Sequence, residues 1–199
     1  MKLNDLINGI LDDVPLTNKP EDVNGTDKNT LHSYLDMYEK LFSSRKHTAK
    51  NILEIGIYDG GSIKLWHDYF INADIHAVDI YECRTGPWLN DYDRIKIYRE
   101  NAYKLEFVMD EFINKNIQFD LIIDDGQHTL DSQMTMAHFY SHVLSDNGIL
   151  VIEDIQGMEN IAPIVRSFPR KLQQFIEVID LRKNKGRHDD VLIVCDKSK

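Results

Sequence analysis

Cysteine is scarce in this chain, and the sequence carries no mark of an exported protein. Its 199 residues include two cysteines, Cys83 and Cys195, whose separation matches neither a metal-binding nor a redox motif. Without a disulfide framework, we expect both to be packing residues in a reducing, cytoplasmic compartment. Residues 1–13 have apolar side chains at helical spacing, but acids and amides interrupt them, so no signal peptide is predicted.

Long apolar runs and an excess of positive charge are also missing. Hydrophobic residues make up 42% and charged residues 28%, which is typical of a globular protein and predicts no membrane span. Lys and Arg number 23 against 33 Asp and Glu, a formal net charge of −10. Since nucleic-acid affinity comes largely from Lys and Arg clusters, no broad nucleic-acid surface is expected. A local basic strip, residues 182–187, has the composition of a solvated hairpin turn.

From about residue 50 onward, short apolar runs alternate with longer segments of helical period. This alternation is typical of a parallel sheet covered by helices, and 199 residues are enough for one domain. The sequence contains no internal repeat. The predicted strands are residues 51–55, 74–80, 95–99, 119–124, 148–154, 174–181 and 190–195, and the predicted helices are residues 62–70, 103–115, 130–143 and 159–168.

The last two predicted strands have no predicted helix between them. A turn built from Asn184, Lys185 and Gly186 closes them as an antiparallel hairpin. The predicted fold is therefore α/β: a Rossmann-like, doubly wound seven-stranded sheet, mostly parallel, with a C-terminal antiparallel hairpin and helices on both faces. This arrangement is typical of class I methyltransferases, which use S-adenosylmethionine (SAM), whereas dehydrogenases of the Rossmann type usually lack the hairpin.

Residues 1–50 precede this alternation. They contain a predicted N-terminal helix, a loop with Pro15, Pro20 and Gly25, and a second predicted helix over about residues 29–44. We interpret residues 1–50 as a helical cap or lid and residues 51–199 as the SAM-binding domain, together one compact unit.

The first predicted strand ends in a glycine-rich loop. Glu54, Gly56, Gly60 and Gly61 follow the pattern E-x-G-x-x-x-G-G, which leads into a helix whose backbone N–H groups face a ligand. Dinucleotide sites use G-x-G-x-x-G instead, to hold a pyrophosphate. SAM has no pyrophosphate and carries cationic groups, so the neighbouring carboxylate favours SAM over NAD. For the loop taken alone, a tight strand-to-helix turn without a ligand is the alternative.

Residues at the ends of the following strands extend this candidate site. Asp79 ends the second strand, 23 residues after Gly56 (79 minus 56), where it can accept hydrogen bonds from ribose hydroxyls. Asn101 and Ala102 follow the third strand, at the position that borders the adenine ring in this fold, although plain helix-entry residues would look the same. The predicted cofactor-binding residues are Glu54, Gly56, Tyr58, Gly60, Ser62, Asp79, Asn101, Ala102 and Asp124.

Acidic residues stand at the ends of two further strands, Asp125 after one, Glu153 and Asp154 at the other. If these strands are neighbours, about 4.8 Å apart, the three carboxylates converge on one ion, and hard oxygen ligands suit Mg²⁺ or another hard divalent ion. His128, three residues after Asp125, can lie beside that ion as a general base. For any one of these residues, helix capping or exposure to solvent is the simpler interpretation. The four together favour a metal and base site.

With these motifs the sequence resembles the metal-dependent sugar O-methyltransferases of macrolide antibiotic pathways. The resemblance spans about residues 25–165 and rests on Gly25-Thr26-Asp27-Lys28 with His32, Tyr34 and Tyr38, on Leu53 to Gly56, on Ser62 to Trp66, on Asp124 to His128, and on Ile152-Glu153-Asp154. It implies that Asp125, Glu153 and Asp154 bind Mg²⁺ and that His128 is the catalytic base. Larger members of that family have a further N-terminal domain that these 199 residues do not include.

The resemblance predicts a SAM-dependent, Mg²⁺-assisted O-methyltransferase. Its acceptor is expected to be a small molecule or glycan, a hydroxyl of a sugar, a glycoside or a similar vicinal diol whose two neighbouring oxygens chelate the ion. Two alternatives stay open: a SAM- or nucleotide-binding module without catalysis, and an NAD-dependent oxidoreductase. The oligomeric state stays open as well, a homo-oligomer included.

Four other side chains have no single assignment from the sequence. Tyr34 and Tyr38 share a helical face, and they either close over the site or dock the N-terminal helices. Lys28 suits the carboxylate of SAM by its charge, but the sequence does not place it. Core packing is the simpler interpretation of Trp66.

Overall fold

The computed structural model describes residues 1–7, 26–83 and 87–199. Its centre is a seven-stranded sheet with the order β3-β2-β1-β4-β5-β7-β6. Strands β1 to β5 are parallel, while β7 runs antiparallel to both β5 and β6. The predicted sheet, mostly parallel with a C-terminal antiparallel hairpin, is confirmed. The strands are β1 (Asn51–Ile55), β2 (Asp74–Asp79), β3 (Ile95–Arg99), β4 (Phe119–Asp124), β5 (Leu144–Ile152), β6 (Ile176–Asp180) and β7 (Val191–Asp196).

Helices cover both faces of the sheet. In the described parts of the chain they are α1 (Leu3–Ile7), α2 (Leu35–Phe42), α3 (Gly61–Tyr69), α4 (Leu105–Val108), α5 (Leu130–Phe139), α6 (Met158–Ser167) and α7 (Arg182–Lys185). A π-helical turn, Met109–Ile113, continues α4, and 3-10 helices form at Ser43–Arg45, Pro87–Asp91, Tyr140–His142 and Arg170–Phe175. Within residues 1–7, 26–83 and 87–199, every helix is too short or too polar to cross a membrane.

The two faces of the sheet pack into separate cores, because successive residues of a strand point to opposite faces. Ile52 of β1 lies in the core that receives α1, α2 and α3, whereas its neighbour Leu53 lies in the core that receives α4, α5 and α6. All six residues of β7 are buried, as a strand covered on both faces requires. Cys83 and Cys195 are both buried, and neither is in a disulfide bond.

The order of strands reverses between β1 and β4, and this point positions the candidate site. Ile55 at the end of β1 pairs with Asp124 at the end of β4, and Asp124 pairs in turn with Ile152 at the end of β5. The residues that follow these three strand ends therefore lie side by side at one edge of the sheet. In open α/β sheets, ligands bind in the crevice at this edge.

The main differences between the structure and the predicted elements lie at three places, besides shifts of a few residues at the ends of other elements. The second N-terminal helix begins at Leu35 instead of residue 29, because the carbonyl of Asp27 accepts hydrogen bonds from the N–H groups of residues 30, 31 and 32 and so forms a turn. Strand β5 begins at Leu144 instead of residue 148. The predicted hairpin turn is the one-turn helix α7, which ends at Gly186 with a φ of +76°.

Some predicted features lie outside the described residues. These are Pro15, Pro20 and Gly25 of the N-terminal loop, and the part of the predicted first helix that follows residue 7.

Candidate functional site

A cavity of about 570 Å³ opens at the reversal point of the sheet. Its wall is formed by the loops that follow β1, β2, β3 and β4. Five of the nine predicted cofactor-binding residues line it: Gly56, Tyr58, Asp79, Asn101 and Ala102. Its volume lies within the roughly 300–1,000 Å³ that is usual for small-molecule sites.

Gly56 is required here by the protein's own backbone. Its φ is +95°, and a Cβ atom at this position would lie 2.0 Å from the carbonyl oxygen of Asp125. The loops after β1 and β4 therefore touch at a point where only glycine fits. This close approach brings Asp125 to the wall of the cavity.

Asp79 holds the rim of the cavity from the end of β2. One carboxylate oxygen accepts a hydrogen bond of 2.9 Å from the N–H of Ile57, and the other accepts one of 2.9 Å from the N–H of Tyr81. Each carboxylate oxygen has a further lone pair, so Asp79 can still accept from a bound hydroxyl group.

The other four predicted cofactor-binding residues lie behind the cavity wall. Glu54 is fully buried; its Oε2 accepts a hydrogen bond of 2.7 Å from Trp66 Nε1, so Trp66 is a core residue with a polar role. Gly60 faces the side chains of residues 88 and 89. Ser62 is buried on α3, and Asp124 accepts a 2.8 Å hydrogen bond from the hydroxyl of Tyr103. These residues support the loops, and their contact with a cofactor stays a prediction.

Asp125, His128 and Asp154 form a cluster beside the cavity. One potential ligand atom from each lies within 4.8 Å of the others. The Nε2 atom of His128 is 3.6 Å from an oxygen of Asp125 and 3.6 Å from an oxygen of Asp154. His128 and Asp154 both have a φ of +55°, a left-handed backbone conformation that is uncommon for non-glycine residues and is found most often at Asn, Asp and His.

Glu153 does not belong to that group of three and shares Lys28 with Asp125. Its carboxylate accepts hydrogen bonds of 2.8 Å from Lys28 Nζ at both oxygens, and a further short one from the hydroxyl of Tyr38. The predicted role of Glu153 as a metal ligand stays a prediction.

Lys28 is the cation at the centre of the acidic residues. Its side chain is fully buried, and Nζ lies 2.6 Å from Asp125, 2.8 Å from Glu153 and 3.3 Å from Glu54. Burial works to lower the pKa of Lys28, but the three carboxylates outweigh it, and the pKa lies well above its ordinary value. Lys28 is therefore charged, and the structure places it against carboxylates of the protein.

The acids around Lys28 respond differently to it. Burial acts to raise the pKa of Asp125, but Lys28 and then His128 outweigh that effect, and the pKa lies below its ordinary value. Burial, followed by repulsion from Asp125, raises the pKa of Glu153 well above its ordinary value. Burial also raises the pKa of Glu54 to about 7, although Lys28 opposes it. Asp125 is thus the ionised member at the cavity wall.

Tyr34 and Tyr38 reach the acid pair from α2 and the residue before it. Both side chains are buried; the hydroxyl of Tyr34 donates a short hydrogen bond to Asp154, and that of Tyr38 donates one to Glu153. Burial, together with these carboxylates, raises the pKa of both phenols, so they act as donors. Both side chains also pack in the core with α1 and α3, so the structure contains features of both interpretations.

A second group of ligand-type side chains adjoins the first. His32, Asp189 and Asp190 are buried, with one potential ligand atom from each within 4.8 Å of the others. His32 Nδ1 lies 2.6 Å from Asp190, and both oxygens of Asp189 accept hydrogen bonds from Arg187. The polar atoms of this group therefore already have partners within the protein.

The basic strip on residues 182–187 anchors the segment that carries Lys28. Lys185 Nζ donates hydrogen bonds of 2.6, 2.8 and 2.8 Å to the carbonyl oxygens of Asn29, Thr30 and His32. Lys185 is exposed, in agreement with the interpretation of this strip as a solvated turn, and its ammonium group also caps the turn after Asp27. No local pattern in the sequence signals such a contact across 150 residues.

No family model matches the chain. Curated relatives include an O-methyltransferase of Streptomyces olivaceus that acts at the 3′ position of 8-demethyl-8-(2-methoxy-alpha-L-rhamnosyl)-tetracenomycin C, 30% identical over 131 residues, 62% of this chain and 32% of that protein. The L-olivosyl-oleandolide 3-O-methyltransferase of Streptomyces antibioticus is 31% identical over 134 residues, 62% of this chain and 33% of that protein. The chain spans about one third of the length of these relatives.

Solved structures match the fold over a larger share of the chain. A complex of the methyltransferase MycE, from the mycinamycin biosynthetic pathway, with Mg, SAH and mycinamycin VI has a TM-score of 0.69 and 20% identity, covering 90% of this chain and 53% of MycE. An rRNA methylase from Streptococcus thermophilus has a TM-score of 0.60 and 13% identity, covering 82% of this chain and 95% of that protein. The chain therefore has the class I methyltransferase fold, and in sequence it is a relative of sugar O-methyltransferases.

Proposed function

We propose that the chain is a SAM-dependent, Mg²⁺-assisted O-methyltransferase that acts on a hydroxyl group of a sugar, a glycoside or a similar vicinal diol. One observation carries the proposal: Asp125 belongs both to the wall of the cavity and to the cluster with His128 and Asp154. A methyl donor in the cavity and a cation on the cluster would therefore be neighbours.

The cavity suits SAM in size and in the chemistry of its wall. The carboxylate of Asp79 faces it at the end of β2, where a ribose can donate its hydroxyl groups. Asn101 and Ala102 line the side where an adenine ring would lie. When bound, SAM supplies an electrophilic methyl group.

The acid cluster suits a hard divalent ion. Atoms within 4.8 Å of one another can share one ion, since oxygen ligands lie about 2.0–2.6 Å from Mg²⁺ or Ca²⁺. Asp125 and Asp154 are the candidate ligands that the cluster brings together. Glu153 is the third candidate, because its bonds to Lys28 and Tyr38 use three of about four lone-pair sites and leave one for an ion. When bound, Mg²⁺ lowers the pKa of a hydroxyl group that it coordinates.

His128 is the proposed general base. Its ring is about a quarter exposed, and Nε2 lies 3.6 Å from two carboxylates, too far for a direct hydrogen bond. The nitrogen can therefore take a proton from an acceptor hydroxyl at the mouth of the cavity, while the two carboxylates stabilise the resulting positive charge. A well-placed base contributes about 10²–10⁴-fold to the rate.

Residues 1–50 would act as the cap of this site and residues 51–199 as its SAM-binding domain. Lys28, Tyr34 and Tyr38 support this division, because all three reach carboxylates at the ends of β4 and β5. The acceptor class is inferred from the relatives, which are named for sugar-bearing compounds.

The test is methyl transfer from isotopically labelled SAM to a panel of rhamnosides, olivosides and simple vicinal diols. We expect transfer to at least one glycoside, loss of transfer in EDTA, recovery with Mg²⁺, and at least a 100-fold loss in His128→Ala. His142→Ala, at an exposed position in the 3-10 helix that follows α5, is the matched control. Transfer that survives both EDTA and His128→Ala would exclude the metal and base roles, and binding of NAD without binding of SAM would exclude the proposed reaction.

A further inference from the structure

Gln133 connects helix α5 to Glu153 and Asp154, the two residues that follow β5. Its side chain is fully buried, and Nε2 donates hydrogen bonds of 2.9 Å to the carbonyl oxygen of Glu153 and 3.3 Å to that of Asp154. The contact with Glu153 joins positions 20 residues apart, and no local sequence pattern predicts it.

The orientation of this amide is determined by its surroundings. If the amide were turned over, Oε1 would face two carbonyl oxygens, and three acceptors would meet without a hydrogen. In the present orientation Oε1 is buried without a hydrogen-bond partner among the residues that the structure describes. The side chain thus gives up one of its own hydrogen bonds while it holds the two carbonyls, which points to a role other than simple packing.

The turn that Gln133 holds has an unusual backbone. Asp154 has a φ of +55°, and through this turn the carboxylate of Glu153 faces Lys28 and Tyr38 while that of Asp154 faces His128. A residue with this conformation persists only where its surroundings hold it in place.

The same helix also fixes His128. Helix α5 begins immediately after it with a capping box, in which the Thr129 side chain accepts from the N–H of Ser132 and the Ser132 side chain accepts from the N–H of Thr129. Gln133 follows one residue later. One rigid helix therefore sets both the base and the backbone of the acid pair.

We propose that Gln133 is a positioning residue, which holds the Glu153–Asp154 turn so that Asp154 converges with Asp125 on a divalent cation beside His128. This rests on the proposed function, since it assigns a purpose to the cation site. Partners that orient metal ligands typically change metal affinity by about 10–100-fold when they are removed.

The experiment compares Mn²⁺ binding, measured by electron paramagnetic resonance, with the binding of S-adenosylhomocysteine, measured by calorimetry. Gln133→Met keeps the length of the side chain and removes the donor, and Gln133→Asn keeps the amide but is too short to reach both carbonyls. Gln174→Met is the matched control, because this exposed glutamine bonds only to a neighbouring carbonyl, that of Lys171, among the contacts described.

We expect Mn²⁺ affinity to fall at least tenfold in both Gln133 variants, with S-adenosylhomocysteine affinity within twofold of the unmodified protein and no change in Gln174→Met. Equal Mn²⁺ affinity in all four proteins would overturn the inference and leave the proposed function standing. A parallel loss of both ligands would also overturn it, because that is the mark of a general structural role. If the unmodified protein binds S-adenosylhomocysteine but not Mn²⁺, the proposed metal assistance fails, and the inference fails with it.

Discussion

The ammonium nitrogen of Lys28 lies 2.6 Å from a carboxylate oxygen of Asp125, across 97 positions of the sequence. The same nitrogen contacts Glu153 and Glu54, so one buried cation faces three carboxylates. Breaking a buried ion pair from one side is costly because the remaining charge has no water to solvate it. Lys28 therefore links the N-terminal segment to the candidate site through charge.

Lys28→Met should destabilise the protein strongly. The variant leaves three buried carboxyl groups, among them the ionised Asp125, without their cation, and we expect the free energy of unfolding to fall by about 3–5 kcal/mol, measured by urea denaturation at neutral pH. Mg²⁺ should restore more stability to the variant than to the unmodified protein. Lys115→Met, which removes an exposed ion pair with Glu111, should cost less than about 1 kcal/mol. Equal losses in the two variants would show that the Lys28 network contributes little.

Gly56→Ala should disrupt the cavity wall. The added methyl group would lie 2.0 Å from the carbonyl oxygen of Asp125, at a φ of +95°. We expect a loss of about 3–5 kcal/mol in the free energy of unfolding, together with loss of S-adenosylhomocysteine binding.

The control for this change is Gly186→Ala. Gly186 has a φ of +76° but no heavy atom within 4 Å of the added methyl group. It should therefore show only the backbone cost of about 1–2 kcal/mol. If Gly56→Ala cost no more than this, the loops after β1 and β4 could move apart to accommodate the methyl group, and the close contact between them would not be required for stability.

Asp154→Asn should weaken the candidate cation site without emptying the cavity. It removes one negative charge from the cluster with Asp125 and His128, so we expect Mn²⁺ affinity to fall at least tenfold and Mg²⁺-dependent methyl transfer to fall about 100-fold or more. Binding of S-adenosylhomocysteine should stay within about twofold, since Asp154 is not in the cavity wall. Asp146→Asn, at a fully exposed carboxylate, is the control. Unchanged Mn²⁺ affinity in Asp154→Asn would remove Asp154 from the ligand set.

His76 should make the protein sensitive to acid. Burial lowers the pKa of His76 to about 4, from an ordinary value of 6.5. Below pH 6.5 the unfolded chain therefore takes up a proton that the folded chain binds only near pH 4. The stability is complete above pH 6.5 and falls as the pH drops through this window, by up to about 3 kcal/mol at about 1.36 kcal/mol for each unit of pKa.

His76→Phe tests this dependence. The ring of His76 packs among Tyr98, Phe112 and Phe119, so phenylalanine keeps the aromatic contacts and loses the titration. The plot of unfolding free energy against pH should become flatter between pH 6.5 and 4, and His138→Phe, at an exposed position, should leave the slope unchanged. An unaltered slope in His76→Phe would assign the acid sensitivity to other groups.

Much of the fold could be predicted from local pattern. Strands β1, β3 and β4 begin and end at the predicted residues, because each is a short run with apolar side chains, which are buried in β1 and β4 and partly buried in the edge strand β3. Asp125, Glu153 and Asp154 were predicted to converge because the carboxyl ends of neighbouring parallel strands share an edge, and His128 because it follows Asp125 by three residues; the structure groups Asp125, His128 and Asp154. The start of α2 could not be predicted in this way, since side chains from distant parts of the chain hold residues 29–32 out of the helix.

By itself, the sequence determined the succession of strands and helices along the chain, the glycine loop and the acids at the strand ends. These features depend on hydrophobic period and backbone sterics, which act over a few residues. Tertiary structure alone decided which carboxylate meets which cation. Lys28 contacts Asp125 and Glu153, Lys185 caps the turn after Asp27, and Gln133 holds the Glu153–Asp154 turn. Buried charges and amides bond to whatever partner the packed fold brings within about 3 Å, and that partner leaves no trace in local sequence.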